Sequence, residues 1–117
     1  MVFEWKMESK ILRALAEPGR LQIVEILRED PLTVGDIVDR LHIRQPQVSK
    51  NLRVPHEAGV VEYKADANRR IYKLRPEAFK ELNLWLGQYS ELWEESFENL
   101  DGYLQDLQKG RNQKNDN

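Results

Sequence analysis

The sequence predicts a mainly α fold with a small β-hairpin, in the order α-α-α-α-β-β-α, and three observations carry that prediction. Apolar residues recur three and four apart through much of the 117-residue chain, as one face of a helix requires. A short polar stretch, Gln45-Pro46-Gln47-Val48-Ser49-Lys50-Asn51-Leu52-Arg53, follows the turn-like His42-Ile43. Beyond it, 60–64 and 69–74 alternate in the manner of strands, with the turn-prone Asp66 to Asn68 between them.

Each element has its own justification. Ile11, Leu12, Leu15 and Ala16 share one face of a first helix that stops near Ala16, where Pro18 and Gly19 punctuate the chain. Pro18 is tolerated as an early helical residue, so a second helix follows, burying Leu21, Ile23, Val24, Ile26 and Leu27 and ending around Glu29. Asp30-Pro31 makes the next interruption. Thr33 with Asp36 three residues later is a capping pair that opens a third helix burying Val34, Ile37, Val38 and Leu41. In the fourth helix, Val48 and Leu52 fall on one face, while Pro46, Gln47, Ser49, Lys50 and Arg53 spread over the other.

Pro76 begins the last helix, and Phe79, Leu82, Leu86, Tyr89, Trp93, Phe97, Leu100, Leu104 and Leu107 continue at helical spacing to about Gln108. An unbroken helix of about 33 residues would reach roughly 50 Å, more than one small domain can cover. Its apolar stripe therefore calls for a second copy of the chain, with Leu82, Leu86, Tyr89, Trp93, Phe97 and Leu100 as the dimer interface and the first helix alongside. Gly87 and Gly102 leave room for the other solution, a helical hairpin folded back on itself. The expected organisation is one domain over 1–108, with the dimerisation helix at 76–108 and a disordered polar tail at 109–117.

Charge is unevenly placed. From Arg40 to Arg75 nine Lys and Arg stand against three acids, a net of +6, whereas the flanking stretches carry −3 and −5. The chain's overall −2 hides a local cationic surface, the electrostatic footprint of a polyanion. The side chains on the exposed side of the fourth helix suit double-stranded DNA. A glutamine can pair bidentately with adenine, Ser and Lys suit phosphates or base edges, and Arg suits guanine or phosphate. The candidate DNA-binding residues are Arg44, Gln45, Gln47, Ser49, Lys50 and Arg53 on the turn and helix, with Arg69 and Arg70 near the hairpin tip.

Other classes find less support. The chain holds no cysteine, so disulfides and thiolate metal sites are excluded. No nucleophile–base arrangement, glycine-rich phosphate loop or metal constellation points to an enzyme, and no cofactor is expected. The two histidines, His42 and His56, are placed in the turn and beyond the fourth helix, too isolated for a tetrahedral site. Glu91, Glu94, Glu95 and Glu98 could hold a hard cation, but a solvated face explains them better. No run approaches a membrane span and the start has no signal-peptide layout, so a cytoplasmic protein is expected.

Four blocks in order resemble a known family, the ArsR-type winged helix-turn-helix repressors: Ala14-Leu15-Ala16-Glu17-Pro18-Gly19-Arg20-Leu21-Gln22-Ile23, Leu32-Thr33-Val34-Gly35-Asp36-Ile37, Gln45-Pro46-Gln47-Val48-Ser49-Lys50-Asn51-Leu52 and Glu57-Ala58-Gly59-Val60-Val61. The resemblance covers roughly residues 8 to 90. It implies a homodimeric DNA-binding transcriptional regulator, usually a repressor released by a ligand, with the fourth helix as the recognition helix and the hairpin as the wing. Metal-sensing members carry a Cys-Val-Cys motif where this chain has Thr33-Val34-Gly35, so a non-metal signal is expected, through a small molecule, a partner protein or expression level. Members commonly place Ser or Thr where Arg44 stands, which removes a cap and offers a phosphate contact. Pro55 replaces an apolar residue inside the helix, which predicts a kink or early stop near Arg53–Val54 and a separate turn through Ala58. A winged-helix protein-interaction module with weak or no DNA binding is the alternative that this proline keeps open.

Overall fold

In the computed structural model, which describes residues 2–94, 102 and 104–108 and side chains from residue 7 onward, capping residues divide the chain. The elements are α1 (Val2–Leu15), α2 (Pro18–Leu27), β1 (Leu32–Thr33), α3 (Val34–Leu41), α4 (Gln45–Glu57), β2 (Val61–Asp66), β3 (Arg69–Leu74) and α5 (Pro76–Gly87). At the start of α2 the Glu17 carboxylate accepts from the Arg20 amide at 3.3 Å. The Arg20 guanidinium in turn donates to the carbonyls of Ala14 at 3.0 Å and Arg13 at 2.9 Å, satisfying the C-terminal end of α1. At α3 the expected capping box is complete: Thr33 Oγ1 accepts from the Asp36 amide at 3.1 Å, and the Asp36 carboxylate accepts from the Thr33 amide at 3.0 Å.

The strands form an antiparallel sheet in the order β1-β3-β2. Pairing of Asp66 with Arg69 leaves a two-residue turn in which Ala67 takes a φ of 55°. The two-residue β1, which pairs Leu32 with Tyr72 and Thr33 with Ile71, is an addition to the expected hairpin. It ties the entry of α3 to the wing.

The chain divides into two compact units, Met1–Asn83 and Leu84–Asn117. The core of the first joins Ile11 and Ala14 of α1, Ile23, Val24 and Leu27 of α2, Leu32, Ile37 of α3, Val48 and Leu52 of α4, then Val60, Val61, Tyr72 and Ala78. Full burial of each large apolar side chain contributes about 1.5–3 kcal/mol. Val34, Val38 and Leu41 pack against this core only in part, and Leu21, expected inside, is 42% exposed. No helix among the described residues is long and apolar enough to cross a membrane.

Two helix expectations need correction. First, α4 runs through Pro55 to Glu57 instead of stopping near Arg53–Val54. Pro55 is the third-last residue of the helix, so the missing amide costs one hydrogen bond of the last turn, and its ring is fully buried in the core. Its carbonyl accepts from the Val60 amide at 2.8 Å, while the His56 carbonyl accepts from Gly59 at 3.1 Å. With Gly59 at a φ of 74°, these two bonds make a Schellman cap.

Second, α5 ends at Gly87 and does not continue unbroken to Gln108. Bonds of the i→i+3 kind follow, from the Gln88 amide to the Trp85 carbonyl at 3.1 Å and from Tyr89 to Leu86 at 3.0 Å. Past this point the described residues 90–94, 102 and 104–108 are helical. A glycine within a helix costs about 1 kcal/mol relative to alanine, and no atom lies within 4 Å of where a Gly87 Cβ would be to offset that cost. Phe97, Leu100, Glu95, Glu98 and the tail at 109–117 lie outside the described residues.

Candidate nucleic-acid interface

The turn between α3 and α4 sets the geometry of the site. His42 adopts the left-handed conformation, φ 56° and ψ 40°, and its amide donates to the Val38 carbonyl at 2.9 Å, ending α3. Arg44 then takes an extended conformation as the N-cap of α4 without a side-chain capping bond, and its carbonyl accepts from the amides of Gln47 and Val48. The guanidinium that replaces a capping hydroxyl therefore stays in solvent. Along α4, Val48, Asn51, Leu52 and Pro55 are buried, which fixes the opposite side outward.

All eight candidate DNA-binding residues, Arg44, Gln45, Gln47, Ser49, Lys50, Arg53, Arg69 and Arg70, are exposed. A groove of about 750 Å³ between α4, the start of α3 and the hairpin brings five of them together: Gln45, Ser49, Arg53, Arg69 and Arg70. Arg44, Gln47 and Lys50 stand outside the residues that line it.

The cations differ in their partners. Arg53 meets Glu57 at 3.1 Å and Arg69 meets Asp66 at 3.5 Å, both in exposed pairs of the kind that contribute about 0–1 kcal/mol and yield readily to a stronger anion. Lys73 and Arg75 share Glu62. Among the described residues Arg44, Lys50, Lys64 and Arg70 have no carboxylate partner. Asp36, next in α3 after the lining residues Thr33 to Gly35, has its carboxyl held below the ordinary value by the Thr33 amide and hydroxyl, with Arg40 and Arg69 adding to the effect.

Sequence reasoning missed the aromatic side of this groove. His56, expected beyond the recognition helix, lies in the last turn of α4, and its ring centroid is 5.2 Å from that of Tyr63 on β2. Tyr63 also meets Tyr72, its cross-strand partner, at 5.4 Å, and the Arg70 guanidinium lies 4.4 Å over the Tyr63 ring. The i, i+4 stripe Gln45, Ser49, Arg53 together with His56 was a signal for the helical wall. The cross-strand tyrosine pair was a signal for the facing one.

Comparison with known proteins decides the family. The model of bacterial regulatory proteins of the arsR family matches residues 17–63. The HTH-type transcriptional regulator Rv2034 of Mycobacterium tuberculosis (strain ATCC 25618 / H37Rv) is 32% identical over 101 residues, covering 86% of this chain and 89% of that protein. The chain belongs to the arsR family. Proteins of the arsR family are transcriptional regulators and not enzymes. The HTH-type transcriptional repressor SmtB of M. tuberculosis is 43% identical over 66 residues, 56% of this chain, and the match spans about half of that protein's length, 49%. A solved arsR-like fold is the homodimeric winged helix-turn-helix DNA-binding domain Mb0332 from Mycobacterium bovis. It has a TM-score of 0.60 at 23% identity and covers 77% of this chain and 84% of that one. This arsR-family chain thus has the winged helix-turn-helix fold, with α3 and α4 as the helix-turn-helix and β2–β3 as the wing.

Proposed function

We propose that this arsR-family protein is a homodimeric transcriptional repressor that binds double-stranded DNA at a pseudo-palindromic operator and responds to a signal other than a metal ion. The observation that carries the reading is the exposed cationic and amide-bearing side of α4, flanked by the two wing arginines and held rigid by a buried opposite face. A helix of this width fits the major groove, where Gln47 is placed to read a base edge and Lys50 to contact phosphate. Arg69 and Arg70 on the wing would meet the neighbouring backbone. Two recognition helices in a two-fold dimer would address half-sites one helical turn, about 34 Å, or a multiple apart.

The dimer reading is supported by Leu86 and Tyr89 of the expected interface, exposed in the single chain together with Leu84, Leu92, Leu104 and Leu107, and by the homodimeric state of the M. bovis domain, whereas Leu82, also expected there, packs in part against the core of the first unit. The signal is read as non-metal because Thr33-Val34-Gly35 offers no thiolate and the whole chain has no cysteine. The interaction-module alternative leaned on Pro55 interrupting the recognition helix, and a continuous α4 gives it no support.

The test is fluorescence anisotropy across a salt series, using the duplex immediately upstream of the protein's own coding sequence and a random duplex as competitor. Steep loss of affinity with salt and preference for the upstream duplex are expected. Lys50→Ala should weaken binding to both duplexes and reduce the salt slope by about one, whereas Gln47→Ala should cost about 1–3 kcal/mol on the upstream duplex alone. Binding that is absent or indifferent to salt would refute the reading. An equal loss on both duplexes for Gln47→Ala would refute base reading by that residue.

A further inference from the structure

Within the proposed DNA-binding face, on which this step rests, we infer that Tyr63, braced by the last turn of the recognition helix, is a positioning residue that aims the wing arginine Arg70. The three groove arginines are restrained in different ways. Arg53 is tied to the Glu57 carboxylate and Arg69 to that of Asp66, so both are held by groups that also neutralise them. Arg70 instead lies 4.4 Å over the face of Tyr63. The ring quadrupole attracts the cation without cancelling its charge. Arg70 is therefore pre-placed and remains fully cationic, which lowers the ordering cost of a phosphate contact while keeping its full electrostatic worth.

The ring itself is fixed from two sides. Tyr72, largely buried at 8% exposure, meets it across the strand pair at 5.4 Å, and His56 meets it from the last turn of α4 at 5.2 Å. Register explains the rest: Tyr63 pairs with Tyr72 and Ala65 with Arg70, so Tyr63, Arg70 and Tyr72 share one face of the hairpin. Arg70 consequently takes its position from α4 through Tyr63.

The test is a double-mutant cycle read on DNA, with a DNA-free arm. In the free protein, the Arg70 side-chain protons should be shifted upfield by the Tyr63 ring current in wild type, and the shift should vanish in Tyr63→Leu. In anisotropy with the upstream and random duplexes, Tyr63→Leu should lower affinity about two- to fivefold on both. It should have no further effect in an Arg70→Ala background, and Tyr63→Phe should recover most of the loss. A wild type without the ring-current shift, or additive losses for Tyr63→Leu and Arg70→Ala, would overturn the role of Tyr63 while the DNA reading stands. A wild type that binds neither duplex would overturn the DNA reading itself, and with it this role.

Discussion

The polar side of α4, proposed to meet DNA, and the second unit are both exposed, but they are exposed in opposite chemical senses. On α4 the outward residues are Gln, Ser, Lys and Arg, while the apolar ones, Val48, Leu52 and Pro55, have gone inside. In Leu84–Asn117, Leu84 is 73% and Leu92 75% exposed within a single chain. A polar surface is content with water and counterions until a polyanion displaces them, whereas leucines at that exposure lower their free energy only when another surface covers them. The difference teaches that one chain exposes two surface chemistries, and that the binding proposed for the first would be salt-sensitive while that proposed for the second would not.

The largest contrast is expected from removing a leucine in each region. Leu52→Ala should cost about 2–5 kcal/mol in chemical denaturation whatever the protein concentration, because the side chain is already buried within the unit. Leu92→Asp should barely change the stability of the isolated chain but weaken self-association more than tenfold in sedimentation equilibrium. A wild type that stays monomeric at tens of micromolar would remove the second half of the contrast.

Next in size is Gly19→Ala at the start of α2. A Cβ there would come within 2.7 Å of Asn51 Nδ2, and Asn51 is 7% exposed, so its amide has nowhere to swing. Overpacking of this kind costs about 1–3 kcal/mol, and a loss of DNA affinity should accompany it because Asn51 belongs to α4. An unchanged denaturation midpoint would show that α2 and α4 are more loosely joined than their close approach requires.

The smallest effect concerns acid. The folded-state carboxyl of Asp36 sits below its ordinary value of 3.8, held there first by the Thr33 backbone and then by its hydroxyl. Its contribution to stability is complete above that value and disappears as the pH falls through the lower folded-state value. Asp36→Asn should flatten the acid limb of the stability profile below about pH 4 and leave neutral-pH DNA binding to within experimental error. Identical acid limbs for the two proteins would assign the loss to other carboxylates.

Legibility in the sequence followed the range of the interaction involved. The Thr33–Asp36 box, the Pro18 start and the pair of hairpin strands are local patterns, and each reappears in the structure, with the first strand at Val61–Asp66 in place of 60–64 and without alternating burial. The polar face of α4 was legible too, since Val48 and Leu52 fix which side turns inward. What escaped depends on contacts distant in the chain. The two residues of β1 are too few to show a period, and only their pairing with β3 makes them a strand. Pro55 reads as a helix breaker until the core that receives its ring is known. Gly87 raised the matter of an interruption in the last helix, but composition alone could not decide between tolerance and termination. The His56–Tyr63–Tyr72 stack exists only because α4 and the hairpin lie side by side.

One residue joins the two halves of the reading head by backbone alone. The Val60 amide closes α4 on the Pro55 carbonyl, and the Val60 carbonyl accepts from Arg75 at the end of β3, both at 2.8 Å. Two main-chain bonds at Val60 thus join the end of α4 to the end of the hairpin, beside the His56–Tyr63 contact. On the proposed reading, outward side chains on α4 could therefore be rewritten to address a new DNA text while the backbone joint that holds them to the page keeps its calibration.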